Sequence, residues 1–160
     1  MKQLALVALL VSVAACGSST PETSKPASST PAATPAAPPA AGGSSRVYFM
    51  EPKDGATVKG PLVHLMFGSD NYTIAPAPAD KVPSPRANTG HYHVGVDTDC
   101  LPPGTEIVKG TPTWVHFGKG DNMIDMQLTP GQHKLALQAG DDNHVTTSNM
   151  CQQITITVTQ

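Results

Sequence analysis

Gly90-His91-Tyr92-His93-Val94-Gly95-Val96 is the stretch that decides the fold. Successive side chains on a strand point to opposite faces, so Tyr92, Val94 and Val96 share one face while His91 and His93 share the other. The same period of two recurs outward from this point. Val47 and Phe49 alternate with Tyr48 and Met50, and Val63, Leu65 and Phe67 share a face. Ile124, Met126 and Leu128 form another set, followed by Leu135 and Leu137 and then by Ile154, Ile156 and Val158. Trp114 to Phe117 ends at a glycine turn and reads as a further strand. Alternation of this kind predicts half-buried antiparallel strands. Turn residues fill the gaps, as at Lys53-Asp54-Gly55, Pro102-Pro103-Gly104, Thr129-Pro130-Gly131 and Gly140-Asp141-Asp142. No stretch carries helical periodicity. The expected class is all-β: an immunoglobulin-like antiparallel β-sandwich of about seven strands, with a small barrel as the alternative.

The first 45 residues have a different composition. Lys2 is followed by an apolar run from Leu4 to Val13, too short to span a bilayer and suited to the core of an export signal. It ends at Val13-Ala14-Ala15-Cys16, which resembles the bacterial lipobox, where the cysteine is acylated and becomes the new N-terminus. Residues 1–15 are therefore expected to be a lipoprotein signal peptide and Cys16 the lipid attachment point. Two or more acyl chains hold a protein stably where one is marginal. Gly17 rather than Asp follows the cysteine, which implies the outer membrane in a host that has one. Residues 16–45 are rich in Ser, Thr, Pro, Ala and Gly and read as a disordered tether, because they lack the apolar side chains that offset ordering entropy. Residues 46–160 form the one folded domain.

Ten Lys and Arg against 12 Asp and Glu give a net charge of −2, without the basic footprint of a nucleic-acid binder. Of the three cysteines, Cys16 is assigned to lipid, leaving Cys100 and Cys151 as an even pair outside the cytoplasm. A disulfide between them is expected; two thiols joining a metal site is the competing state.

All six histidines fall in the folded region. His91 and His93 project together from their strand and can converge on one ion or one anionic ligand. His116 shares a face with Trp114, and His144 lies in the polar loop Gly140-Asp141-Asp142-Asn143-His144. These four are the candidate metal ligands, with copper or zinc as the ions that imidazole suits. Met123, Met126 and Met150 are candidate soft ligands, though methionines at strand spacing are usually core filler. His133 is expected at the core edge and His64 in a structural role.

The matching stretches Val47-Tyr48-Phe49, Pro52-Lys53-Asp54-Gly55-Ala56-Thr57-Val58, Asn88-Thr89-Gly90-His91-Tyr92-His93, His116-Phe117-Gly118-Lys119-Gly120, Pro130-Gly131-Gln132-His133, Asn143-His144-Val145 and Ile154-Thr155-Ile156-Thr157-Val158 occur in this order. In these the domain resembles the bacterial family called domain of unknown function 4399. The family pattern has three consecutive histidines after the glycine, and Tyr92 replaces the middle one here. It continues Gln-Thr-Glu where this chain has Asp121-Asn122-Met123, and it often has a second histidine where this chain has Val145. If that second histidine is a required ligand, the resemblance implies a weakened site or none. It implies no activity.

Three functions follow as expectations. The first is a membrane-anchored, extracytoplasmic module that binds copper or zinc through His91, His93, His116 and His144. The second is a non-enzymatic cell-envelope module that binds protein or glycan, with the Pro-rich segment Ala75 to Pro85 as a contact surface. The third, an enzyme, is disfavoured: the sequence has no G-x-S-x-G elbow, H-E-x-x-H pair or phosphate-binding loop.

Overall fold

The computed structural model describes residues 43–160; the expected signal peptide, Cys16 and nearly all of the expected tether lie outside the described residues. Among the described residues nine strands form: β1 (Arg46–Glu51), β2 (Thr57–Lys59), β3 (Leu62–Asp70), β4 (Thr73–Ile74), β5 (Thr89–Val96), β6 (Trp114–Phe117), β7 (Met123–Gln127), β8 (Gly131–Gly140) and β9 (Thr146–Thr159). Among the described residues there is no helix. Seven strands are those expected from the alternation. β2 and β4, of three and two residues, are too short to carry a period.

Two sheets face each other. One has the order β1-β3-β7, and the other runs β2-β9-β8-β5-β4 with β6 also paired to β5. The central orders β1-β3-β7 and β9-β8-β5 are those of an immunoglobulin-type sandwich. The pairing is antiparallel except for two short parallel ladders, β2 with β9 and β4 with β5. Both involve the short strands, which the chain adds at sheet margins after a turn.

The predicted alternation decides which side chains fill the interior. Val47, Phe49, Val63, Leu65 and Phe67 from one sheet meet Tyr92, Val94, Leu135, Leu137, Ile154, Ile156 and Val158 from the other. Phe67 makes edge contacts with Phe49 and Phe117 and lies 5.2 Å from the Tyr92 ring. Met126 and Met150 belong to this core, and Met123 is exposed, so none of the three approaches the histidine face as a ligand.

The outer face of the six-stranded sheet is also covered. The segment between β5 and β6 folds back over it and buries Ile107 against Trp114 and Ala136. Three devices hold the segment down. Cys100 and Cys151 form a disulfide with Cα atoms 6.1 Å apart. The buried Gln138 amide accepts from Leu101 N and donates to Leu101 O, both at 2.9 Å. Ile107 N donates to His144 O at 2.8 Å. The disulfide spans 51 residues, and closing a loop of that size stabilises a fold by about 4 kcal/mol in the chain-entropy model. Reducing it is expected to lower the melting temperature by roughly 15 °C or more, read by thermal unfolding with and without a thiol reductant.

Candidate functional site

Because residues of β5 alternate, the face opposite Tyr92 and Val94 carries His91 and His93. Pairing then decides their neighbours. The register of β5 with β6 sets His93 directly opposite His116. On the other side, β8 places Gly140 opposite His91 and Gln138 opposite His93. The chain leaves β8 at Gly140 and turns at once, delivering His144 onto the same patch.

That turn is tightly built. Asp141 Oδ1 accepts hydrogen bonds from Asn143 N at 2.8 Å and Val145 N at 2.9 Å, while His144 N donates to Asp141 O at 2.9 Å. His144 sits at φ 66°, the left-handed region that costs a side-chain-bearing residue about 1–2 kcal/mol. Two glycines leave room for the rings. A Cβ on Gly140 would sit 3.1 Å from His93 Cε1 and 3.0 Å from His144 Cα; one on Gly118 would sit 2.3 Å from His116 Cε1.

The result is a cluster. His91, His93, His116 and His144 each offer a ring nitrogen, and these atoms all lie within 4.8 Å of one another. His116 Nε2 and His144 Nε2 are 3.1 Å apart. His91 and His93 are fully buried, His144 nearly so, and His116 partly exposed. Neither nitrogen of His91 nor of His93 has a hydrogen-bond partner. A buried, unpaired polar atom costs about 1–3 kcal/mol. Four such atoms at one point are therefore a costly arrangement for the protein alone.

Burial also decides the charge. Removal from water is the main reason that the His91 imidazole is pushed down to about 3, with His144 and His116 adding repulsion. His93 is pushed down to about 2 by burial first and then by His91 and His116. His116 and His144 are lowered as well, again chiefly by burial. At neutral pH all four are uncharged, the state in which imidazole binds a metal.

All four sequence-predicted ligands are thus brought together. Tyr92, which stands where the family pattern has a histidine, turns into the sandwich core, so the middle position of His-x-His cannot reach the cluster. Val145, at the other departure, is held by its backbone in a bridge to Glu106, and the four-histidine cluster forms without a side-chain donor there. His64 and His133 lie elsewhere: His64 Nδ1 contacts Asp125 at 2.8 Å on the surface, and His133 bridges Asp97 and Thr129 O.

The Pro-rich segment after β4 is docked rather than free. Ala77 N donates to Gly118 O, and Asn143 exchanges two hydrogen bonds with the Val82 backbone. Arg86 grips Asp142, which is 2% exposed, through both Nε and Nη2, and the Arg86 backbone N–H also donates to that carboxylate. The Arg86 hydrogen bond holds the Asp142 carboxyl below its ordinary range. Sequence reading missed this pair: Asp142 sits in the polar loop that carries His144, but 56 residues separate it from Arg86 and no local pattern relates the two. Arg86→Ala is expected to destabilise the domain by about 3 kcal/mol, since it leaves a buried carboxylate without its partner. Adding Asp142→Asn should restore part of that loss, as read from urea unfolding of the two variants.

The sequence profile of the family described as "Domain of unknown function (DUF4399)" matches residues 65–159, which spans β5 to β9 and all four clustered histidines. No curated protein and no solved structure matches the chain.

Proposed function

Since the chain belongs to the DUF4399 family, a domain of unknown function, its chemistry has to be argued from the site, and we propose that the domain binds one transition-metal ion, copper or zinc, through His91, His93, His116 and His144. The observation that carries this reading is the set of buried, unpartnered nitrogens on His91 and His93, within 4.8 Å of the nitrogens of His116 and His144. An ion would give each ring a partner for one nitrogen. Four imidazoles complete a four-coordinate shell, whereas catalytic sites keep a position open. The reading is therefore of a binding protein and not of an enzyme.

The proposal extends to location. A lipid on Cys16 would anchor the chain outside the cytoplasm, with residues 17–45 spacing the domain from the bilayer. The oxidised Cys100–Cys151 pair supports an oxidising compartment. Mass spectrometry of the chain from membranes tests this: loss of the first 15 residues with acyl mass on Cys16 is expected, and a cytosolic, unacylated chain would refute it. For the metal, calorimetric titration of the stripped full chain with Zn(II) and with Cu(II) is the test. One ion per chain is expected, and absence of uptake of either ion removes the reading.

A further inference from the structure

The shape of the cluster says which ion it suits. The six distances between the four ring centroids are 4.7, 4.9, 4.7, 5.2, 5.5 and 4.9 Å. Four points at the corners of a square cannot do this, because two diagonals would exceed the sides by about 40%. Six nearly equal distances describe a tetrahedron. Its centre lies about 3 Å from each centroid. An imidazole bound through one nitrogen at about 2.0–2.1 Å sets its ring centroid about 3.2 Å from the ion. The cage thus has the size as well as the symmetry of a four-coordinate imidazole site. The His116–His144 nitrogen separation of 3.1 Å is close to the about 3.4 Å between tetrahedral ligands at those bond lengths, and the cluster's nitrogens, within 4.8 Å of one another, would draw in as the rings turn toward the ion.

Donor chemistry narrows the choice again. The cluster consists of histidines alone. The sulfurs of Cys100 and Cys151 are tied to each other, and Met126 and Met150 sit in the sandwich core. The nearby carboxylates are engaged too, Asp142 by Arg86 and Glu106 by Lys81 at 2.7 Å. Soft sulfur ligands favour Cu(I), and square-planar or tetragonal nitrogen sets favour Cu(II) and Ni(II). Zinc has no geometric preference from its d electrons and is the usual occupant of closed tetrahedral sites.

Resting on the metal-binding reading above, we propose that the four histidines form a tetrahedral, all-nitrogen Zn(II) site whose preset shape discriminates against Cu(II) and Ni(II). The cage is held from several directions: by β5–β6 pairing, by the Asp141 turn at His144, and by the Arg86–Asp142 clasp beside it. A square-planar ion would have to pull His93 and His144 out of this frame, beside Gly140, where even an added Cβ would come within 3.1 Å of both residues.

The test uses the stripped full chain with its disulfide intact, titrated with Co(II) and followed by visible absorption, then challenged with Zn(II). Parallel titrations use Cu(II) and Ni(II). Expected are the intense visible bands of four-coordinate cobalt, their loss at one equivalent of Zn(II), and no square-planar nickel spectrum. A pale six-coordinate cobalt spectrum, or tetragonal Cu(II) or Ni(II) spectra at one equivalent, would overturn the zinc assignment and leave the metal-binding reading standing. Absence of uptake of all four ions would overturn both.

Discussion

Replacing His93 with alanine in the full chain is expected to weaken Zn(II) binding by two to three orders of magnitude. Structural zinc sites bind with about 10–16 kcal/mol, so each of four equal ligands carries about 2.5–4 kcal/mol. His93 is the most informative of the four. It is fully buried, it faces His116 across the β5–β6 ladder, and its ring lies 4.7 Å from that of His91. His93→Gln retains most of the volume without the imidazole and should bind as poorly, which separates lost ligation from a collapsed cavity. His64→Ala, on the exposed face beside Asp125, should bind like the parent. Retention of parental affinity by both His93 variants would place the ion elsewhere or nowhere.

A second large effect concerns acid. His91 and His93 are held near 3 and 2 in the folded state, mainly by burial, against about 6.5 in an unfolded chain. Their folded values are depressed, so between pH 6.5 and about 3 the unfolded chain binds protons that the folded one does not. Stability is then complete above pH 6.5 and falls as the pH drops. Each residue contributes about 1.4 kcal/mol per pH unit. Two of them give a loss of about 5 kcal/mol between pH 6.5 and 4.5, comparable with the whole stability of a marginal domain. Urea unfolding of the metal-free chain at pH 7, 5.5 and 4.5 should show this steep decline. A variant carrying His91→Phe and His93→Leu should show a shallower one. A flat profile in the parent would mean that the two imidazoles are not held neutral by burial. Zinc should oppose the decline, since an ion that binds only the folded state stabilises it by mass action.

The histidine positions show how far sequence reading reaches. His91 and His93 were legible as a pair because strand alternation is a local rule that needs no partner strand. His116 and His144 were candidates only as histidines beside turn residues; nothing local relates position 116 to 144. Their meeting depends on the β5–β6 register, set by packing far along the chain, and on the Asp141-centred turn after Gly140 that lands His144 beside His116. The pairing of Arg86 with Asp142 was not legible, since a clasp between two loops leaves no period. Gly118 and Gly140 read simply as turn glycines, whereas the structure uses them to admit imidazole rings.

What the sequence determined by itself is the strand-forming alternation, the face shared by His91 and His93, and the even pair left in Cys100 and Cys151 if Cys16 carries lipid. These follow from backbone geometry and from counting, so they survive without knowledge of neighbours. The tertiary structure alone decided that four histidines from two strands and a loop close into a tetrahedron. That outcome depends on which strands lie side by side and in what register. Register is selected by burying one whole face of the sheet, a cooperative property of the domain that no short stretch contains.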